Sequence, residues 1–317
     1  MTKILITGGA GFVGSHTAEL LLDHKHEVLV VDDFSTGKSE NLVCFCDRGG
    51  DVEVQNITDY PHMVNIFSIF NPQVVIHLAA QPAISTSIND PAFDLTVNAI
   101  GTITMLKLAQ EYGVKRFIFS STSAVYDERI KAALTEKSAR DPQSPYGISK
   151  LAAESYIRYY FPKHLILRYG NIYGPRQHPL GQNQVVARAF RHFLRGDPFY
   201  ITGDGRQKRD FTFVGDIARL NAEMVTAAIT GTFNASTGIS HSVNDVLTCI
   251  SMIYGVQNYP WEHSHEKDPR GSVFMDVRNT RKNLGWTAEI SLVDGLKETA
   301  RWWHDYLKLG KYEDVNE

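Results

Sequence analysis

The chain has 317 residues, 43% hydrophobic and 21% charged, with 32 Lys and Arg against 35 Asp and Glu for a formal net charge of −3. At about 150 residues per domain this is room for two domains, or for one domain with a lobe, able to bury roughly three quarters of its unfolded surface without staples. The composition argues against a disordered or fibrous chain, and the near-neutral balance against a general nucleic-acid binder, which carries a basic stripe.

The three cysteines are Cys44, Cys46 and Cys249, which make no disulfide framework, no CxxC and no zinc-ligand spacing. No metal is expected. No apolar run approaches the 18 residues of a membrane span, and MTKILITGG leads straight into a strand-like run instead of a signal peptide. These features imply a reducing, cytoplasmic setting with no membrane partner.

Taken in order, residues 3–7 are a short β-branched run, followed by glycines and a helical pattern over 15–24 with Ala18, Leu21 and Leu22 in register. Strands are predicted at 27–31, 52–54, 74–78, 116–120 and 165–168, with helices at 60–70, 98–111 and 148–160 between them. Brief, almost wholly apolar strands alternating with helices are the mark of a parallel sheet covered on both faces. Beyond about residue 170 Gly, Pro and Asn become frequent (GNIYGPRQHPLGQN), and helices at 185–194 and 292–307 frame shorter mixed segments. The expected fold is α/β: a Rossmann-type doubly wound sheet over 1–170 and a smaller C-terminal lobe over 171–317, with a possible return to the sheet near 232–235.

The run Gly8-Gly9-Ala10-Gly11-Phe12-Val13-Gly14 places G-x-x-G-x-x-G after a strand and at the start of a helix. A pyrophosphate approached there needs a tight turn, no Cβ in the way and free N–H groups at a helix N-terminus. Asp32 ends the second strand about 20 residues on, where a carboxylate can bond both ribose hydroxyls but repels a 2′-phosphate, so the cofactor is expected to be NAD. Asp33 can share the ribose or simply be solvated. Asn56 can reach the adenine amino group or form an Asx turn.

Two features carry chemistry. In Tyr146-Gly147-Ile148-Ser149-Lys150 the i, i+4 spacing puts a phenol and an ammonium on one helix face, and a nearby positive charge favours the phenolate. Ser120-Ser121-Thr122-Ser123 ends the strand RFIFS, where ligands bind in such sheets; strand-end capping is the other use of these hydroxyls.

Together with DDFSTG, HLAAQ, SSTSAVY, GDGRQKRDF and NLGW, in this order and over almost the whole length, these motifs make the chain resemble the extended short-chain dehydrogenase/reductase family. Within that family it is similar to the NAD-dependent nucleotide-sugar epimerases of UDP-glucose and UDP-N-acetylglucosamine 4-epimerase type. The resemblance implies a catalytic triad of Tyr146, Lys150 and Thr122. Tyr146 takes the sugar C4 hydroxyl proton as hydride leaves C4, Thr122 hydrogen-bonds the reacting oxygen, and Lys150 holds the nicotinamide ribose. The 4-keto sugar turns and hydride returns to its other face. For the cofactor it implies Gly8, Gly11, Phe12, Val13, Gly14, Asp32, Asp33, Ser35, Gly37, Asn56, Ile57, Leu78, Ala79, Ala80 and Asn98, besides Tyr146 and Lys150.

For the nucleotide sugar it implies Arg209 and Asn171 at the diphosphate, Tyr200 at the base, Arg270 as a second phosphate ligand, and Ser85 and Ser123 facing the sugar. Val273, three residues before Asp276, corresponds to a gate at which bulky aromatics exclude a C2 acetamido group. The related 4,6-dehydratases carry Asp-Glu after the triad Thr, and the decarboxylases usually keep the Glu. Ser123 and Ala124 stand there, leaving C5 chemistry without an agent. A 2-epimerase or a nucleotide-sugar oxidoreductase remains an alternative. The family also pairs the helices at 98–111 and 148–160 in a homodimer, with Ile103, Leu106 and Ile157 as candidate contacts. The pattern departs from the family at Asn56, where Asp is usual, and at Asp127, where Gly is common and a different turn is expected; Cys44 and Cys46 are read as packing residues.

Overall fold

The computed structural model describes residues 1–178, 184–256, 261–264 and 272–308. The first part of the chain runs β1 (Lys3–Thr7), α1 (Phe12–Asp23), β2 (Glu27–Asp32), α2 (Val43–Asp47), β3 (Asp51–Val54), α3 (Tyr60–Phe70), β4 (Val74–His77), α4 (Ile84–Asn89), α5 (Pro91–Leu95), α6 (Gly101–Glu111), β5 (Arg116–Thr122), α7 (Pro145–Tyr160) and β6 (His164–Tyr169). It continues through β7 (Asn171–Tyr173), α8 (Val185–Arg195), β8 (Phe199–Thr202), β9 (Lys208–Arg209), β10 (Phe211–Phe213), α9 (Val214–Glu223), β11 (Gly231–Ala235), β12 (His241–Ser242), α10 (Val243–Ile253), β13 (Trp261–Ser264), α11 (Arg278–Leu284) and α12 (Leu292–Lys308).

Seven strands form one parallel sheet in the order β11-β6-β5-β4-β1-β2-β3, with β11 joining β6 in register from Gly231 opposite Leu165 to Ala235 opposite Tyr169. Alternate residues of each strand serve opposite faces. Ile4, Ile6, Val28, Val30, Ile118 and Leu167 pack under α1 and α9, whereas Leu5, Leu29, Val75, Phe117, Phe119 and Ile166 pack under α3, α6 and α7. Both faces are therefore dry, which is why these strands read as unbroken apolar runs. The strand order reverses between β1 and β4, and the crevice at their C-terminal ends is where a doubly wound sheet takes its ligand.

The smaller C-terminal lobe has its own core, in which Phe190 of α8, Phe199 of β8, Leu247 of α10 and Trp303 of α12 meet. Its strands are two-residue to four-residue pairs (β10 with β7, β12 with β9, β13 with β8), too short for an alternating pattern to reveal them.

Three expectations are corrected. The helix predicted over 98–111 is α6 preceded by a π-helical turn, Thr96–Ile100, that carries Asn98. Cys44 and Cys46 are exposed; the packing residue of α2 is Phe45 between them, whose ring Gly50 closes over. Leu106 and Ile157 lie inside the core against the sheet, so neither faces outward to a second copy. The exposed apolar residues nearby are Phe93, Leu95 and Ile100 on one side and Ile148, Tyr156 and Tyr159 on α7.

Candidate active site

The glycine-rich turn is fixed by contacts that admit no side chain. Gly8 has φ +71°, and a Cβ there would lie 2.5 Å from the Ala79 nitrogen, because the turns after β1 and β4 touch. A Cβ on Gly14 would lie 2.1 Å from the Gly8 carbonyl oxygen, so α1 can start this close to the strand only as glycine. Gly11 is the N-cap of α1 and contributes no side-chain cap, leaving the first-turn N–H groups of Phe12, Val13 and Gly14 for an incoming anion. This is a cradle of the shape a dinucleotide pyrophosphate requires. Gly14→Ala forces backbone apart at a cost of about 1–3 kcal/mol, so calorimetric titration should show NAD affinity reduced about tenfold or more. Parent-like affinity in that variant would remove the cradle reading.

Asp32 is buried at the tip of β2. Its carboxylate accepts from the Ala10 N–H (2.9 Å) and the Phe34 N–H (2.9 Å), which pins it beside the turn. Burial raises its pKa most, opposed by those two bonds. Gly37 is required because a Cβ would meet the Asp32 carboxylate oxygen at 2.8 Å. Asp33 accepts from Ser35 N–H and Oγ (3.0 and 2.6 Å) and from the Asn56 amide (2.8 Å). Asn56 in turn accepts from Thr58 N–H and Oγ1, so it forms the Asx turn considered from sequence and ties Asp33 to it. The Ile57 side chain is buried in the core, where a Cβ on Gly101 would meet its Cδ1. Leu78, Ala79 and Ala80 line the turn after β4, with the Leu78 N–H donating to Thr7 O at 3.0 Å. The strand-end His77 bridges Thr7 Oγ1 (2.6 Å) and Thr102 Oγ1 (3.0 Å); burial, then the Lys150 charge, hold its imidazole neutral with a pKa of about 3.

Thr122 ends β5, and Tyr146 and Lys150 lie in the first turns of α7. That helix starts where Ser144 Oγ accepts from the Gly147 N–H, with Pro145 as its first residue. Thr122 Oγ1 accepts from the Ala124 N–H at 3.1 Å, the expected strand-end cap, and its hydroxyl lies near enough to the Tyr146 phenol to bear on its protonation. Burial pushes the Tyr146 phenol up to about 12; the Thr122 hydroxyl pulls it down and Asp94 adds to the rise, while Lys150 is not among the groups that move it. Lys150 is buried with its ammonium 4.3 Å from the Phe119 ring centre, and burial pulls its pKa down to about 7 against the charges of Asp94 and Glu154.

Asn98 is held by protein groups. Its amide donates to Gln81 O, Asp94 Oδ1 and Ser149 Oγ, and its carbonyl accepts from the Gln81 N–H. Sequence reading passed over two partners of this region. Asp94 lies four residues before Asn98, and Glu154 four after Lys150, spacings that put each on a shared helical face.

On the lobe side, Asn171 continues from β6, where Tyr169 lies opposite Thr122, and the Asn171 N–H donates to Asp210 O at 2.9 Å. Arg209 is buried beside it and bridges, backbone to backbone, to Val273. The backbones of Asn171, Arg209 and Val273 thus lie in one neighbourhood that continues from the C-terminal end of β6. Ser85 is half-buried in the first turn of α4. Tyr200 is 56% exposed, turned out by the alternation of β8. Arg270 lies outside the described residues. At Asp127 the carboxylate accepts from the Arg129 N–H and Nε, closing a local turn.

A parallel sheet with a glycine cradle at its switch point and a Tyr-x-x-x-Lys pair beside a strand-end threonine defines an extended short-chain dehydrogenase/reductase. The chain belongs to the NAD dependent epimerase/dehydratase family, whose profile matches residues 4–235. It is 37% identical to the UDP-glucose 4-epimerase of Thermotoga maritima, solved with UDP-glucose, at a TM-score of 0.90 covering 96% of this chain and 99% of that one. It is 32% identical to the Thermus thermophilus UDP-glucose 4-epimerase solved with NAD, at a TM-score of 0.86 covering 95% and 98%. A curated UDP-glucose 4-epimerase from Mycolicibacterium smegmatis is 32% identical over 311 residues, 96% of this chain and 99% of that protein. The chain is thus an enzyme of NAD-dependent nucleotide-sugar epimerase type. No helix among the described residues is long and apolar enough to cross a membrane.

Proposed function

We propose that the protein interconverts UDP-hexoses at C4, UDP-glucose with UDP-galactose, and that it also takes the N-acetylated pair. The observation that carries this is the placement of Tyr146 and Lys150 in the first turns of α7 with Thr122 at the end of β5, where its hydroxyl bears on the phenol, and with Ser123 and Ala124 where C5 chemistry would need an acid or base. Gly8, Gly11 and Gly14 with Asp32 would hold tightly bound NAD, and the cofactor supplies hydride acceptance and return at C4. Tyr146 removes and returns the O4 proton, Thr122 orients that oxygen, and Lys150 would hold the nicotinamide ribose. Arg209 offers a planar fork to the diphosphate, with Asn171 beside it and Tyr200 against the base.

Chromatography of products from UDP-glucose, UDP-galactose and their N-acetylated counterparts tests the reading. Interconversion with no net absorbance at 340 nm and no carbon-bound deuterium in heavy water is expected. Steady NADH formation would point to an oxidoreductase instead, and deuterium at C5 or C6 to a dehydratase.

Val273 is small and partly buried beside Arg209. Its size motivates acceptance of the acetamido group; a kcat/KM ratio for UDP-galactose over UDP-N-acetylgalactosamine above about 10³ would refute that part. Val273→Tyr should lose the acetamido substrates first. A cytoplasmic homodimer completes the proposal, its contacts drawn from the exposed Phe93, Ile100, Ile148 and Tyr159, and light scattering reads its mass.

A further inference from the structure

Asp94 is a fully buried carboxylate on α5, between the turn after β4 and the start of α7. Its Oδ1 accepts from Gln81 Nε2 at 2.9 Å and from Asn98 Nδ2 at 3.0 Å. Its Oδ2 is buried with no hydrogen-bond partner, and no ion pair with a described residue compensates its charge. A buried carboxylate left this way is costly unless a cation lies close by. The chain of bonds runs from Asp94 through Asn98 to Ser149 Oγ (3.1 Å), and Ser149 Oγ donates to the Tyr146 carbonyl (3.0 Å), so Asp94 is wired to the helix turn that carries Tyr146 and Lys150.

The other groups around Lys150 contribute little free charge. His77 on β4 is neutral. Glu154 on α7 is paired with Arg168 at 2.6 Å and with Arg158 at 2.9 Å, and it also accepts from Ser121 Oγ. Asp94 is the uncompensated carboxylate within electrostatic reach of both Lys150 and Tyr146.

We propose that Asp94 is a positioning residue: its buried negative charge is the counter-charge of Lys150 and sets the protonation of the Tyr146–Lys150 pair, while its Oδ1 fixes Asn98 and Gln81. This rests on Tyr146 and Lys150 being the proton-handling pair proposed above. The sign follows from charge alone. A carboxylate favours the lysine cation and disfavours the phenolate, so its removal lets both groups lose their protons at lower pH.

Asp94→Asn keeps the size and an acceptor for Gln81 and Asn98 while removing the charge. Lysine-labelled protein without added substrate, observed by NMR with the resonance assigned through Lys150→Met, should show the Lys150 midpoint lowered by about 0.5–1 pH unit in Asp94→Asn. Asp94→Glu should restore the parent midpoint. In turnover assays both limbs of the kcat profile should move to lower pH by a similar amount. A Lys150 midpoint unchanged in Asp94→Asn, or a fall in kcat with an unmoved profile, would overturn the proposal and leave Asp94 as packing. Should Asp94→Asn not fold, the parent decides: the Asp94 carboxyl carbon, identified by its loss in Asp94→Glu, must show an inflection at the Lys150 midpoint, and its absence overturns the assignment. The NMR readout needs no epimerase activity, so a parent enzyme that fails to epimerise UDP-hexoses defeats the functional reading and not this one.

Discussion

Tyr146→Phe is expected to lower kcat by about 10²–10⁴-fold, the usual contribution of a positioned proton-transfer group, while NAD affinity and thermal stability stay near those of the parent. The substitution deletes one oxygen. Thr122 Oγ1, which bears on that phenol, is bonded by the Ala124 N–H and keeps that partner, so no new orphan is created at the strand end. The phenol itself stands high, at about 12, chiefly because it is buried. A group placed there is a protonated donor at neutral pH until positive charge is brought close, and removal of the O4 proton then becomes the step that couples to pH. Activity in the parent should therefore rise with pH along the acid limb, and Tyr146→Phe should lose that limb along with the rate. Parent-like kcat in this variant would remove Tyr146 from the chemistry. Lost NAD binding together with lost rate would mean instead that the ring supports the cofactor crevice.

The sheet was legible in the sequence because its strands are dry on both faces. Runs such as ILIT, VLVV and FIFS suit the middle of a parallel sheet, and the strands observed at Lys3–Thr7, Glu27–Asp32 and Arg116–Thr122 follow them closely. The return of the chain at Gly231–Ala235 was visible for the same reason. Glycines at 8 and 14 marked the cradle because sterics there tolerate nothing else, with Gly11 between them as the open N-cap, and the Tyr146–Lys150 spacing is local to one helix. What stayed hidden depends on distance along the chain. Asn98 reads as an ordinary helical residue, yet a π turn rotates it into a network with Gln81 and Ser149. Leu106 and Ile157 fit an outward stripe as well as an inward one, and only the packing of α6 and α7 on the sheet decides between them. In the lobe, two-residue strands carry no period at all.

The largest stability effect is expected at a pair that touches no ligand in the proposed mechanism. Glu154 is fully buried and accepts four hydrogen bonds: from Ser121 Oγ (2.6 Å), Arg168 Nε (2.8 Å), Arg168 Nη2 (2.6 Å) and Arg158 Nη1 (2.9 Å). Arg168, 1% exposed on β6, lies over the Tyr126 ring with its guanidinium carbon 4.7 Å from the ring centre. The pair therefore clamps α7, which carries Tyr146 and Lys150, to β5 and β6, which carry Thr122 and lead to Asn171. Glu154→Gln leaves the guanidinium buried without its counter-charge, an error that costs about 3–5 kcal/mol, and Tm should fall by about 6–10 °C. Replacing both partners by apolar residues, Glu154→Leu with Arg168→Met, should regain much of that loss, since a dry pair is tolerated where a lone charge is not. Burial raises the Glu154 pKa, but the bonds from Arg168, with those from Ser121 and Arg158, outweigh it and hold the carboxyl below its ordinary value. The sign of the pH dependence follows from that depression. The contribution is fully present above the pKa of an unfolded glutamate and is lost as pH falls through the lower folded value. Melting curves of parent and Glu154→Gln taken from pH 7 downward should accordingly converge in acid, and a constant gap between them would show that the clamp acts by packing and not by charge.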